Sequence, residues 1–194
     1  MKKESLRLKG VKNYTVQLAS DDAKLQFIEQ VHLRLERSMT MVFVNKKDTA
    51  SKLQARLAKR GVKATILVGG LQAADRDNII DGFRKLEFTT LIATNVLARG
   101  IDVPEVDLVI SFDVPMRQIY GWKEPDYANF MHRTGRTGRY GTDGLSVTLM
   151  QEETDSSLME DIAKYYQMDI PAVKSFEELE EIFKVMRPGA KEDV

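Results

Sequence analysis

TTLIATNVLARGIDVPEVDLVISFDV, residues 89–114, sets two apolar, β-branched runs on either side of a short polar segment. TTLIAT (89–94) and LVISFDV (108–114) read as buried strands. Thr94 is expected at the end of the first with its hydroxyl exposed, and Arg99, Gly100 and Asp102 follow within one tight segment. A carboxylate beside an arginine can accept from a ribose diol while backbone amides meet phosphate, or the two side chains can simply pair and pin the loop.

The same rhythm extends both ways. YTVQL (14–18), MTMVFV (39–44), ATILV (64–68) and LSVTLM (145–150) read as further strands. Between them lie amphipathic stretches. One helix is expected from a cap at Asp21 or Asp22 toward Leu35, one over 48–60 stopped by Gly61, and one over 73–86. A helix-like stretch, DYANFMHR, covers 126–133, and two more stretches close the chain around 155–166 and 175–186. Strand–helix alternation implies an α/β fold, a mostly parallel sheet with helices on both faces. In such sheets the working loops sit at the carboxyl ends of the strands. Four places qualify on this reading: Asn45-Lys46-Lys47, Gly69-Gly70, Thr94 with ARGID behind it, and HRTGRTGR at 132–139.

Composition narrows the class. The 194 residues, 43% of them hydrophobic, suit one domain with a small appendage. There is no cysteine, so disulfides and thiolate metal sites are excluded. No apolar run approaches the roughly 20 residues of a membrane span, and MKKESLRLKG lacks the apolar stretch of a secretory signal. The net charge is zero but unevenly placed. Residues 1–150 carry 24 Lys+Arg against 17 Asp+Glu, and residues 151–194 carry 5 against 12. The first part can face a polyanion while the acidic tail faces elsewhere, or both can be solvated surface.

Arg133, Arg136 and Arg139 recur every three residues within HRTGRTGR. Their planar forks suit phosphate, and two of them flanking a turn can clamp one polyphosphate; a basic surface loop is the plainer reading. His132, at a helix end, is otherwise a structural hydrogen-bonder. VGGLQAADR (68–76) places a glycine pair before a helix, with Arg76 one turn in; backbone without side chains can approach a phosphate, although such pairs also make ordinary turns. GxxxxGK[ST] is absent, and no acidic pair ends an apolar strand to hold magnesium. The chain has fingers for a nucleotide and no cradle for it.

In this order, MVFVNKK, GGLQAADR, LIATNVLARGID and HRTGRTGR resemble four motifs of the second (C-terminal) RecA-like domain of DEAD-box ATP-dependent RNA helicases. The likeness covers about residues 12–150 and implies a RecA-like fold of the P-loop NTPase type. It implies that 1–11 is a linker, that 151–194 adds terminal helices and an acidic tail to the same domain, and that Met1 is a boundary within a longer chain. By resemblance, Arg136 and Arg139 are fingers on the γ-phosphate and His132 couples that site to the first domain. Gly100 and Asp102 meet ATP, Asp102 at the ribose. Arg133 and Arg99 are structural supports. Asn45, Gly69, Gly70, Arg76 and Thr94 contact the RNA backbone. ATP and Mg2+ are bound mainly by a first RecA-like domain in cis, with no metal site in this one. Single-stranded RNA is the other ligand, and the isolated half is expected to be monomeric, ATPase-inactive, weak in RNA binding and independent of membranes.

Several residues depart from the family pattern. Ala73 replaces a glutamine, Asn95 an aspartate and Thr134 an aliphatic residue, and MRQIYGWKEPD is a longer insert after Pro115. Asn95, the insert and the acidic end resemble the mRNA-export branch, which implies a cytoplasmic location at the nuclear-pore face and an activator acting with inositol hexakisphosphate. A translation-initiation-type half, a DNA helicase half and a non-catalytic partner-binding module are the other readings.

Overall fold

The computed structural model describes residues 10–35, 38–94, 104–138 and 143–186. In chain order the elements are β1 (Val11–Gln17), α1 (Asp21–Arg34), β2 (Thr40–Val44), α2 (Lys47–Lys59), β3 (Ala64–Leu67), α3 (Ala73–Arg84), β4 (Thr90–Thr94) and β5 (Leu108–Ser111). Then come β6 (Met116–Ile119), β7 (Trp122–Pro125), α4 (Tyr127–Thr134), β8 (Gly144–Met150), α5 (Glu153–Tyr166) and α6 (Phe176–Met186). Six strands form one parallel sheet in the order β1-β8-β5-β2-β4-β3, and β6 and β7 pair separately as an antiparallel hairpin.

β2 and β4 are buried at every position, which is why their sequences run apolar without alternation. Their side chains still divide by parity. Val42 and Val44 pack with α1, α2 and α6 on one face, and Met41 and Phe43 pack with Ile80 and Phe83 of α3 on the other. A third cluster joins Phe130 of α4 to Leu158, Met159, Ile162 and Tyr166 of α5. β1, at an edge, keeps Lys12 and Gln17 exposed.

The expected strands and helices are present, with informative shifts. Ser20, not Asp21 or Asp22, caps α1, its hydroxyl accepting from the Ala23 N–H at 3.1 Å; the two aspartates occupy the first turn, where a carboxylate favours the helix dipole. β1 begins at Val11, inside the segment expected as linker, because it pairs with β8 from Val11↔Gly144 to Gln17↔Met150. β5 stops at Ser111 instead of running to 114: the Phe112 N–H still reaches Phe43 O at 2.8 Å, then Asp113 turns away. The insert, expected as a branch-specific addition with no assigned structure, is the hairpin.

His32 near the end of α1 is half-buried between two partners. In the neutral ring Nδ1 donates to the Ile28 carbonyl at 2.8 Å and Nε2 accepts from the Thr90 hydroxyl at 2.7 Å. This arrangement uses the neutral ring, and burial lowers its pKa below 6.5 despite the Ile28 bond. The unfolded chain therefore takes up a proton before the folded one does. Stability should be undiminished above about pH 6.5 and fall as pH drops from there toward the lowered folded value. Urea unfolding across this window should show that slope, and His32→Gln should flatten it.

Candidate functional site

α4 is capped at its amino end by Asp126, whose side chain accepts from the Asn129 N–H at 2.9 Å, and at its carboxyl end by Gly135. It is the return connection from the carboxyl end of β5 to the amino end of β8. In an α-helix each side chain leans back toward the amino end. Arg133, with no exposed surface, uses that lean to carry its guanidinium back to the carboxyl edge of the sheet. There Nη1 donates to Asp113 O at 2.7 Å and Nη2 to Asn45 Oδ1 at 3.1 Å, with the guanidinium 5.5 Å from the Phe43 ring centroid. The Asn45 N–H donates to Asp113 Oδ2 at 2.8 Å. Burial lowers the Arg133 pKa to about 10, opposed by the nearby charges of Asp113 and Asp126, so the group stays charged at neutral pH.

Arg136 and the turn that holds it lie at the opposite edge, which corrects the expectation that this part of the row joins the carboxyl-end loops. Arg136 O accepts from the Val106 N–H at 3.1 Å and the Thr137 hydroxyl donates to Asp107 O at 3.3 Å, both just before β5 begins. The physical reason is topological: a helix returning to the start of a parallel strand must end at the amino edge. Arg136 itself is only 9% exposed. Thr134 is buried and its hydroxyl lies 3.4 Å from Ser146 Oγ of β8, so this departure from an aliphatic residue gives the turn a polar tie to the sheet.

Close packing explains the glycines between the arginines. Gly138 has φ +71, and a Cβ there would lie 2.6 Å from Val11 Cγ2 and 2.7 Å from Gly10 O. A Cβ on Gly135 would lie 2.9 Å from Met131 O. His132, half-buried, sits in the last turn of α4. Arg139, Arg99, Gly100, Asp102 and Asn95 lie outside the described residues.

At the carboxyl edge, β3, β4 and β2 are consecutive neighbours, so their loops adjoin with strands about 4.8 Å apart. Gly69 and Gly70 turn after β3, Gly70 at φ +93 with open space where a side chain would be. Lys47 Nζ reaches Gly69 O at 3.5 Å. Arg76 is half-buried in the first turn of α3, and Ala73 opens that helix exposed. Thr94 ends β4 but is only 7% exposed, against the expectation of an open hydroxyl; it lies beside Val44 of β2. Asn45 is exposed, yet its side-chain oxygen already serves Arg133. Sequence reading missed Asp113 and Phe43. An aspartate directly after the apolar run LVISF was the available sign, since a carboxylate there can only face the edge or a buried cation.

A six-stranded parallel α/β sheet, with a glycine-spaced arginine turn at one edge and glycine and arginine loops at the other, defines a RecA-like helicase domain. The family model described as the helicase conserved C-terminal domain matches residues 23–141, and the chain belongs to that family. The ATP-dependent RNA helicase DBP5 of Lodderomyces elongisporus is 37% identical over 186 residues, covering 94% of this chain and 36% of that protein. The chain spans 41% of the Mycosarcoma maydis DBP5. Among solved structures, the C-terminal domain of the DEAD-box protein Dbp5 matches with TM-score 0.82 at 31% identity, over 92% of this chain and 99% of that one. S. cerevisiae Dbp5 bound to RNA and ADP BeF3 matches with TM-score 0.81 at 32% identity, over 91% of this chain and 45% of that one. A variant S. cerevisiae Dbp5 C-terminal domain bound to a variant Gle1 and IP6 matches with TM-score 0.77 at 30% identity, over 91% and 98%. The expected family and fold are thereby borne out.

The geometry separates scaffold from surface. Arg133→Ala would leave the Asn45 oxygen and Asp113 carbonyl without their donor and open a void under α4, and should cost about 3–5 kcal/mol in urea unfolding, with Arg133→Lys restoring only part. Gly138→Ala should cost more than about 1 kcal/mol through its positive φ and its contacts with Gly10 and Val11. Wild-type stability in either variant would contradict the described packing.

Proposed function

We propose that this chain is the C-terminal half of an ATP-dependent DEAD-box RNA helicase that unwinds short duplexes or remodels ribonucleoprotein in mRNA export. The observation that carries the reading is Arg133. It ties the turn that holds Arg136 to Asn45 on the edge where Gly69, Gly70, Arg76 and Thr94 gather. A nucleotide-sensing turn and a nucleic-acid edge joined by one buried cation are what an RNA-dependent ATPase needs.

In this reading a first RecA-like domain brings ATP and Mg2+ to the cleft. Arg136 and Arg139 spread the charge of the transferring γ-phosphoryl group, as arginine fingers do. Asp102 and Gly100 meet the nucleotide, with Arg99 bracing their loop, and His132 passes the state of the site to the first domain. Because Arg136 is largely buried in the isolated chain, it must turn outward, or be met closely, when the domains close. Glycine turns and Arg76 touch sugar and phosphate, so binding is independent of base sequence and sensitive to salt. The relatives solved with RNA and ADP BeF3, and with Gle1 and IP6, support RNA, an adenine nucleotide and a protein partner acting with IP6 as ligands and partners; the mRNA-export reading adds a cytoplasmic site of action at the nuclear pore.

The test is ATP hydrolysis by chain 1–194 alone and joined to the first domain of a relative, with and without RNA. The expected result is no turnover alone and RNA-stimulated turnover when joined. Arg139→Ala should then reduce kcat about a thousandfold. Turnover by the chain alone that Arg136→Ala abolishes would overturn the shared-site reading. No turnover in the joined form would favour a binding module.

A further inference from the structure

The insert between β5 and α4 folds into a β-hairpin whose features the nucleotide site does not use. β6 and β7 pair in the register Met116↔Pro125 to Ile119↔Trp122, leaving Tyr120 and Gly121 as a two-residue turn with φ 51 and 85. That is the left-handed pair a tight hairpin turn needs, and glycine or asparagine fits it at little cost. Tyrosine at the first position is strained and gains nothing within the chain, since Tyr120 is 98% exposed. Trp122, the chain's single tryptophan, is 76% exposed beside it.

The hairpin is held firmly at its base. The Asp126 N–H donates to Pro115 O at 2.9 Å, Met116 packs into the α4–α5 cluster, and Lys123 pairs with Glu152. Cross-strand register puts Arg117, Ile119, Trp122 and Glu124 on the other, outward face. Arg117 and Glu124 stand 3.5 Å apart, 57% and 45% exposed, so their pairing is weak and Arg117 can exchange it for phosphate.

Its position supplies the occupant. The hairpin leaves the sheet at the carboxyl end of β5, and β5 neighbours β2. The ends of β3, β4, β2 and β5 follow one another across that edge. A strand of RNA laid over the Gly69–Gly70 turn, Thr94 and Asn45 meets the hairpin next, and Asp113 links the two directly through the Asn45 N–H.

We propose that the hairpin tip is a stacking platform for bases of single-stranded RNA, with Trp122 and Tyr120 offering ring faces and Arg117 a cation beside them. Aromatic rings flanked by arginine bind single strands in this way, each stacked base contributing affinity without reading sequence. The platform extends a track that otherwise touches only sugar and phosphate. The inference rests on the RNA-binding reading proposed above and adds a contact to bases.

Trp122 fluorescence reports on the tip alone. Chain 1–194 is titrated with a short oligouridylate and with an abasic ribose–phosphate oligomer of equal length. The oligouridylate should quench Trp122 and the abasic oligomer should not. Trp122→Ala should weaken oligouridylate binding about tenfold, leave abasic binding unchanged and leave the urea midpoint unchanged, and Trp122→Phe should restore most of the affinity. Arg76→Ala should weaken both oligomers alike. If Arg76→Ala weakens RNA binding while Trp122→Ala and Tyr120→Ser do not, and emission is unmoved, the platform is wrong and the RNA-binding reading stands. If the emission responds only to an added first domain, whatever the oligomer, the tip is a protein contact and the platform is wrong. If the wild-type chain binds no RNA even when joined to a first domain with a non-hydrolysable ATP analogue, the functional reading falls and takes the platform with it.

Discussion

Among the described residues Arg133 is the most deeply buried cation, a full positive charge with no exposed surface, ahead of Lys24 and Arg136. Removing such a charge from water costs several kcal/mol, and only well-placed acceptors offset it. The Asp113 carbonyl beyond β5 and the Asn45 side-chain oxygen beyond β2 supply them, with the Phe43 ring of β2 alongside. Because the charge must be met, these three groups are held in fixed relation. Asn45 is oriented twice, by Arg133 at its side chain and by Asp113 at its backbone. The seating of α4 against the sheet follows from the same contacts.

That seating separates two edges of the domain. The turn after α4 lies at the amino ends of β5 and β8, closed by Gly138 and Gly144 against Gly10 and Thr137. The glycine turn, Arg76 and Thr94 lie at the carboxyl ends of β3 and β4. A ligand at one edge does not touch the other, and within the domain Arg133 is a packed group that reaches from the helix before the turn to the carboxyl edge.

Much of this was legible in the sequence. Continuous apolar runs such as MTMVFV announce strands buried on both faces, and the spacing of the four motifs carried the family. The edge on which Arg136 and its turn sit was not legible, because side-chain period fixes which face a residue takes but not where a return helix ends. Thr94 was misjudged for a related reason: a hydroxyl at a strand terminus is open only if the neighbouring strand stops earlier, and β2 runs level with β4 through Val44↔Thr94. The hairpin was hidden because IYGW lacks the Asn-Gly signature of a tight turn and its strands have only four residues each.

The central claim is that Arg133 couples the two edges. It is tested most directly by a double-mutant cycle in the joined protein, using Asn45→Ala and Arg133→Lys and measuring kcat for ATP at saturating RNA. The account expects each substitution to lower kcat although neither residue reaches the phosphate, and the double variant to be no slower than the slower single one. If Asn45→Ala only raises the RNA concentration needed, or if the two effects multiply, the coupling does not run through Arg133.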